Sequence, residues 1–350
     1  MVAQDIEYVE LYATDANAAI SHFSDALGFT PVAGSTGPGT ESVLLRQGTV
    51  QIVVTEGPAV ADYLDLHGDG FADIALICDD VDDTRRRALS AGARPARGPG
   101  DGAGPAVSAV SAFGDVRHTL LGPRAPGEAL RLPPGRTWIP RDGSRPQAAG
   151  VDHVIRLDHV AVCLEAGTLA DYTELYVQGF GLPVYSGEYV TFADQAMDSK
   201  VVRSLDGGVT FTLIEPDRKK QAGQIDAFLD GNSGPGVQHL AFLVDDIVAS
   251  VQDLSTRGVR FLRTPGAYYD KIAERYPDFA QADTDRLRAA HVLVDRDEWG
   301  ELLQIFTGSP FPRDTLFSEL VQRRGSRGFG ASNIKALYEA IETDRSTAGG

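Results

Sequence analysis

Two histidines sit inside apolar, strand-like runs: His159 in Leu-Asp-His-Val-Ala-Val-Cys and His239 in Val-Gln-His-Leu-Ala-Phe-Leu. A glutamate, Glu319, is the one charge within Leu-Phe-Ser-Glu-Leu-Val, residues 316–321. Two imidazoles and a carboxylate on adjacent strands facing one cavity form the ligand set of non-heme iron oxygenases, which keeps coordination positions open for substrate and oxygen. The same donors also suit a catalytic zinc, so the ligands alone do not fix the metal. Glu319 reads equally as a ligand or as a residue on a solvated face, because the chain has 49 acidic residues to choose from. His153, in Val-Asp-His-Val-Ile, is a rival to His159. It lies six residues earlier and would share its strand face, but it falls outside the repeat described next. His22, His67 and His118 read as structural.

The elements that position these residues are duplicated. Residues 68–81 align without a gap to residues 234–247, and the spacing stays at 166 from Gly70/Gly236 through Asp79/Asp245 to Gly92/Gly258. In this repeat Asp73 stands where the second copy has His239, and Tyr8 stands where it has His159. A duplicated fold with imidazoles in one copy only predicts one chemically active half and one structural half. Each half reads as strand, helix, strands, then strand, helix, strand. Helices are expected over residues 15–27, 81–91, 168–178 and 246–257, each stopped at or beside a glycine. Matching Gly122 to Gly308 pairs the first half's strand 116–121 with 301–307, and implies a helix-prone polar insert of about twenty residues within 267–290. Ile334, Leu337, Tyr338 and Ile341 predict a C-terminal helix with one apolar face.

The expected fold class is α+β: two tandem units, each a curled mixed sheet of βαβββ repeats, concave on one face and covered by helices on the other. The boundaries are residues 1–122 for a metal-free structural domain, 123–156 for a linker rich in Pro, Gly and Arg draped over the surface, and 157–350 for the catalytic domain with a C-terminal lid helix. The concave face of such a sheet suits a small-molecule pocket.

The charge balance narrows the partners. With 32 Lys and Arg against 49 Asp and Glu, the formal net charge is −17. That excludes nucleic acid, which needs clustered cations, and an anionic membrane surface. No apolar run is long enough to span a bilayer, and no secretory signal precedes the first strand, so a cytoplasmic enzyme is expected. A homodimer is left open. Cys78 and Cys163 lie in apolar strands and read as inert buried thiols.

Leu-Asp-His159, Gly-Val-Gln-His239-Leu-Ala-Phe, Leu-Leu-Gln304-Ile-Phe, Thr-Leu-Phe-Ser-Glu319-Leu-Val-Gln-Arg and Gly-Phe-Gly-Ala-Ser-Asn333 resemble the 4-hydroxyphenylpyruvate dioxygenase family of the vicinal oxygen chelate superfamily. The resemblance spans essentially the whole chain and is densest over residues 157–342. It implies that His159, His239 and Glu319 are the catalytic Fe(II) ligands and that O2 is the cosubstrate. The substrate 4-hydroxyphenylpyruvate carries its own 2-oxo acid, so no separate 2-oxoglutarate is required. It further implies that Ser199, Thr212, Ile214, Gln224, Gln238, Gln304, Phe329 and Asn333 contact substrate or support the site. For Gln224 and Gln238, ordinary solvated or strand-edge amides remain an alternative. Phe329 and the terminal helix would form a lid that excludes water, with plain packing against the sheet as the alternative for the helix.

The family runs two chemistries on one substrate. Ring hydroxylation gives homogentisate, and its enzymes usually carry Pro-x-Asn-Glu-Pro on a pocket strand. This chain has Thr212-Leu213-Ile214-Glu215-Pro216. That departure, with Asp198-Ser199, residues 264–270 and residues 331–338, is similar to the branch that hydroxylates the benzylic carbon to give 4-hydroxymandelate, an aryl glycine precursor for peptide antibiotics. Two other functions remain open: homogentisate formation, and a metal-free ligand-binding protein of the same superfamily.

Overall fold

The computed structural model describes residues 3–97, 107–125, 127–141, 152–192, 194–330, 332, 333 and 335. The helix expected around Ile334, Leu337, Tyr338 and Ile341 lies outside the described residues. In the first half the strands are β1 (Ala3–Tyr12), β2 (Thr30–Gly37), β3 (Thr40–Gln47), β4 (Val50–Glu56), β5 (Gly70–Cys78), β6 (Arg94–Pro95), β7 (Val107–Phe113), β8 (Val116–Leu121) and β9 (Ile139–Pro140). In the second they are β10 (Val154–Cys163), β11 (Val184–Phe192), β12 (Gln195–Arg203), β13 (Thr210–Pro216), β14 (Gly236–Val244), β15 (Leu293–Arg296), β16 (Glu301–Phe306) and β17 (Phe317–Arg324). The helices are α1 (Ala16–Ser21), α2 (Ala61–His67), α3 (Val81–Ser90), α4 (Leu169–Glu174), α5 (Gln224–Asn232), α6 (Ile247–Thr256), α7 (Gly266–Asp270), α8 (Ile272–Arg275) and α9 (Gln281–Ala289). The fold is two tandem curled mixed sheets with helices, as the repeat predicts.

The two sheets share one topology. The first runs β6-β7-β8-β5-β1-β4-β3-β2-β9 and the second, read from its other end, runs β15-β16-β17-β14-β10-β13-β12-β11. The central pairs β1·β5 and β10·β14 are antiparallel and carry matching register shifts, with Tyr8 opposite Ala75 and His159 opposite Ala241. The capping chemistry repeats too: Asp80 accepts from the Asp83 amide at 2.8 Å, and Asp246 from the Ala249 amide at 3.0 Å. The helices expected over residues 15–27 and 168–178 each widen after one and a half turns into a π-type turn, His22–Ala26 and Leu175–Gly179.

One sequence alignment is corrected by pairing. β8 lies parallel to β5, and β17 lies parallel to β14. The counterpart of residues 116–121 is therefore β17, not residues 301–307. Thr119, beside Ala75, corresponds to Glu319, beside Ala241. Glycine matching failed because Gly122 and Gly308 end strands of different rank in the sheet. The insert also proves longer than twenty residues, since the repeat spacing grows from 166 at Asp73/His239 to 200 at Thr119/Glu319.

The connecting segment does more than cover the surface. β9 pairs with β2 at the sheet edge. Arg136 reaches buried Glu10, and the Arg131 amide donates to buried Glu7 at 2.9 Å. The segment thereby brings guanidinium groups onto the buried carboxylates of the first sheet.

The halves share one apolar core between their helix-covered faces, joining Phe23, Phe29 and Ala88 to Tyr176, Phe211 and Phe242. His118 meets the Tyr176 hydroxyl at 2.8 Å within it. At the other contact, the β3–β4 turn sits on the start of β10: the Thr49 amide donates to the Ile155 carbonyl at 2.8 Å, and the Val154 amide to Gln47 Oε1 at 2.5 Å. Gly48 in that turn has φ +55°, and a Cβ there would run into the Ile155 carbonyl. Gly48→Ala is expected to cost more than about 1 kcal/mol of stability, read as a lower urea midpoint. An unchanged midpoint would show that this junction carries no stability.

Candidate metal centre

The site lies on three neighbouring strands of the second sheet. His159 on β10 stands opposite Ala241 on β14, and Ala241 stands opposite Glu319 on β17. His239 lies one row along, opposite Ala161 and Phe317. The small Ala241 between them leaves room for the three side chains to approach one another. His159 Nε2 lies 3.4 Å from Glu319 Oε2, and His239 Nε2 lies 3.2 Å from the same oxygen. One donor atom from each of the three falls within 4.8 Å of the others, and all three residues are buried. A metal at about 2.0–2.2 Å from N and O ligands places neighbouring donors roughly 3 Å apart, so the spacing fits an ion at this point.

Each of the three side chains is oriented from behind. Asp158 Oδ1 accepts from His159 Nδ1 at 2.9 Å, and Gln238 Oε1 accepts from His239 Nδ1 at 3.1 Å. Both rings thus turn Nε2 inward as a free lone pair when neutral. Gln304 Nε2 donates to Glu319 Oε1 at 3.1 Å. With that amide nitrogen committed to the carboxylate, Gln304 Oε1 accepts from Asn333 Nδ2 at 3.0 Å. Phe317 stacks on His239 at 4.9 Å, and Phe329 meets His159 edge-on at 5.4 Å.

The remaining expected residues fall in different places. Thr212 and Ile214 stand on β13 beside Ala161 and Cys163 of β10, with Val201 and Ser199 opposite on β12. The Thr212 hydroxyl is buried without a partner, whereas Ser199 Oγ donates to the Glu188 carbonyl at 3.0 Å. Gln238 holds His239. Gln224 is exposed at the first position of α5, whose Ile225 and Phe228 pack with Ile214. His153 is separate from the triad, bonded to Asp253 at 2.6 Å and Ser250 at 3.1 Å. Sequence reasoning passed over Asp158, Arg323, Phe306 and Phe317. Their signals were faint: an acid next to a histidine, an arginine four residues past the glutamate, and aromatics two residues from Gln304 and Glu319.

In the first half, the counterpart of this centre is occupied by the protein itself. Asp73 accepts from the Thr119 amide at 3.0 Å, from Thr119 Oγ1 at 2.7 Å and from Arg117 Nε at 2.9 Å, and Tyr8 OH lies at 3.4 Å. A guanidinium supplies the positive charge there. Asp73→Ala is expected to lose roughly 1–3 kcal/mol by leaving the Thr119 amide and hydroxyl without their acceptor and Arg117 with Glu10 as its remaining carboxylate, with metal stoichiometry unchanged. A selective loss of bound metal at full stability would contradict the assignment of this half as structural.

The chain is related along its length to characterised proteins. Residues 5–118 and residues 158–274 each match the glyoxalase/bleomycin resistance protein/dioxygenase superfamily. The 4-hydroxyphenylpyruvate dioxygenase of Yarrowia lipolytica is 30% identical over 98% of this chain and 92% of its own. That of Neurospora crassa is 32% identical over 82% of this chain and 72% of its own. The chain belongs to the 4-hydroxyphenylpyruvate dioxygenase family. Among solved structures, a triple mutant of 4-hydroxymandelate synthase from Streptomyces coelicolor superposes with a TM-score of 0.83 at 49% identity, covering 98% of this chain and 99% of that one. As a member of this family the chain is a dioxygenase. No helix among the described residues is long and apolar enough to cross a membrane.

Burial favours neutral imidazoles, yet hydrogen bonds to Asp158 and Glu319 and their negative charge raise His159 to about 9. Burial lowers His239 despite the pull of Glu319. In the metal-free protein, protonated His159 contributes stability that is full below about pH 6.5 and lost as pH rises through about 9. Metal competes with that proton, so affinity should rise with pH up to about 9, with proton release on binding near neutral pH. Calorimetry of Co(II) binding in buffers of different ionisation enthalpy measures the released proton. Binding without release near pH 7 would exclude a protonated resting His159.

Proposed function

We propose that this dioxygenase converts 4-hydroxyphenylpyruvate and O2 to 4-hydroxymandelate and CO2, with Fe(II) held by His159, His239 and Glu319. The observation that carries the reading is the convergence of these three donors, within 4.8 Å of one another, beside the strand that carries Ile214. Iron bound there supplies redox chemistry between dioxygen and the 2-oxo acid of the substrate. The protein's part is positional. Asp158 and Gln238 fix the imidazole orientations, Gln304 holds the second carboxylate oxygen, and Phe329 and Phe317 shield the centre from water.

Product choice depends on which substrate carbon lies nearest the reacting centre. Ile214 cannot hydrogen-bond the ring, and it packs with Cys163, Val190, Phe192, Met197 and Phe228 into an apolar wall. Such a wall holds an aromatic ring by contact alone and leaves the benzylic carbon as the near target. The unpartnered Thr212 hydroxyl is the polar group on the same strand face available to the substrate. The 49% identity to 4-hydroxymandelate synthase supports the same product.

The two family products are isomers, so the test is chromatographic separation against standards after anaerobic Fe(II) loading and addition of 4-hydroxyphenylpyruvate and oxygen. 4-Hydroxymandelate is expected as the main product. Dominant homogentisate would refute the benzylic assignment while leaving the iron reading intact. His159→Ala, His239→Ala and Glu319→Ala should each abolish turnover, and His153→Ala should retain most of it. Ile214→Asn should divert part of the flux to homogentisate, because a shift of about 1 Å alters relative rates on the order of 100-fold.

A further inference from the structure

The geometry points to Arg323 as a positioning residue that ties the segment 326–330 to the metal-ligating His159, so that docking of the segment and metal binding strengthen each other. The inference rests on the metal reading above. Arg323 lies on β17 four residues beyond Glu319. Its Nε and Nη2 donate to both oxygens of Asp158, each at 2.7 Å. This is the planar, two-pronged pairing that fixes a carboxylate in orientation as well as place. The Asp158 oxygen that accepts from Nη2 also accepts from His159 Nδ1. The guanidinium therefore sets the angle of that carboxylate and, through it, of the ring.

The same guanidinium holds the segment. Arg323 Nη1 donates to the Gly328 carbonyl at 2.7 Å and to the Ser326 carbonyl at 3.4 Å. Its plane lies 5.0 Å from the centre of the Phe329 ring, close enough for a cation–π contact. Phe329 in turn rests edge-on against His159. From the far side Asp297 accepts from the Ser326 hydroxyl at 2.8 Å and from the amides of Arg327 and Gly328 at 2.7 and 2.8 Å. Gly330, at φ +76°, is pressed so close to Gln304 that a Cβ would collide with the amide oxygen. Asn333 donates to that oxygen, and Gln304 donates to Glu319. One stretch of chain thus leans on the partners of two ligands, through Arg323 at one end and Gln304 at the other. If an ion sharpens the ligand geometry it must also favour the docked segment, and the docked segment must favour the ion by the same factor.

The test uses the full-length chain with Co(II) as the probe. Its affinity is measured by competition with a chromogenic chelator, and hydrogen exchange of amides 326–330 is followed with and without the ion. In the wild type Co(II) should slow exchange in that segment. Arg323→Lys keeps the charge but loses the fork, and should weaken Co(II) about 10- to 100-fold and remove the slowing. Asp297→Ala touches no ligand and no ligand partner, yet should weaken Co(II) at least about fivefold through the segment alone. Should Arg323→Lys fail to fold, as judged by circular dichroism, Asp297→Ala decides. Wild-type affinity in the folded variants, or metal-independent exchange in the wild-type segment, overturns the coupling while the metal reading stands. A wild type that binds no Co(II) removes both.

Discussion

The centre depends on the register of three strands. β10, β14 and β17 must pair so that Ala241 falls between His159 and Glu319, with His239 in the adjoining row. A slip of one residue on any strand would turn its ligand through the sheet into the apolar core. The register is held by the core itself: Val160, Val162, Leu240, Phe242 and Leu320 alternate with the site-facing residues and are buried against the helices. The hydrophobic pattern that folds the second half is therefore the same pattern that aims the donors.

Bringing two imidazoles and a carboxylate together without solvent is costly unless each has a partner. The chain meets that cost with a second ring of groups. Asp158 is itself held by Arg323, and that guanidinium with the two histidines keeps Asp158 and Glu319 ionised despite burial. Charge alternates outward from the centre, so each of its buried carboxylates faces an opposite charge. Apolar packing surrounds this ring, and Phe306 and Phe317 close it on the β16–β17 side.

Much of this was legible in the chain. His159 and His239 announced themselves as polar residues in apolar strands, and the asymmetry of the repeat, with Tyr8 and Asp73 in their places, set the two halves apart. Glu319 could not be chosen on residue grounds among so many acids, because a strand-interior glutamate looks the same whether it meets metal or water. The Thr119/Glu319 correspondence was hidden for a related reason: the insert lengthens the second half, and only strand pairing reveals which segments are equivalent. The connecting segment misled most. Its Pro, Gly and Arg content reads as solvated linker, yet Arg131 and Arg136 turn inward to buried glutamates, a role that composition cannot signal.

The buried charge cluster of the first sheet has a consequence for the duplication. Asp73, Thr119, Tyr8 and Arg117 form a closed set in which each member satisfies another. A histidine introduced alone at position 73 would meet a guanidinium, and removal of Arg117 alone would leave Asp73 short of its counter-charge while Glu10 kept Arg136. Each of these single changes is expected to give a less stable protein. With an internal cation built into this cluster, the two halves are not interchangeable one residue at a time.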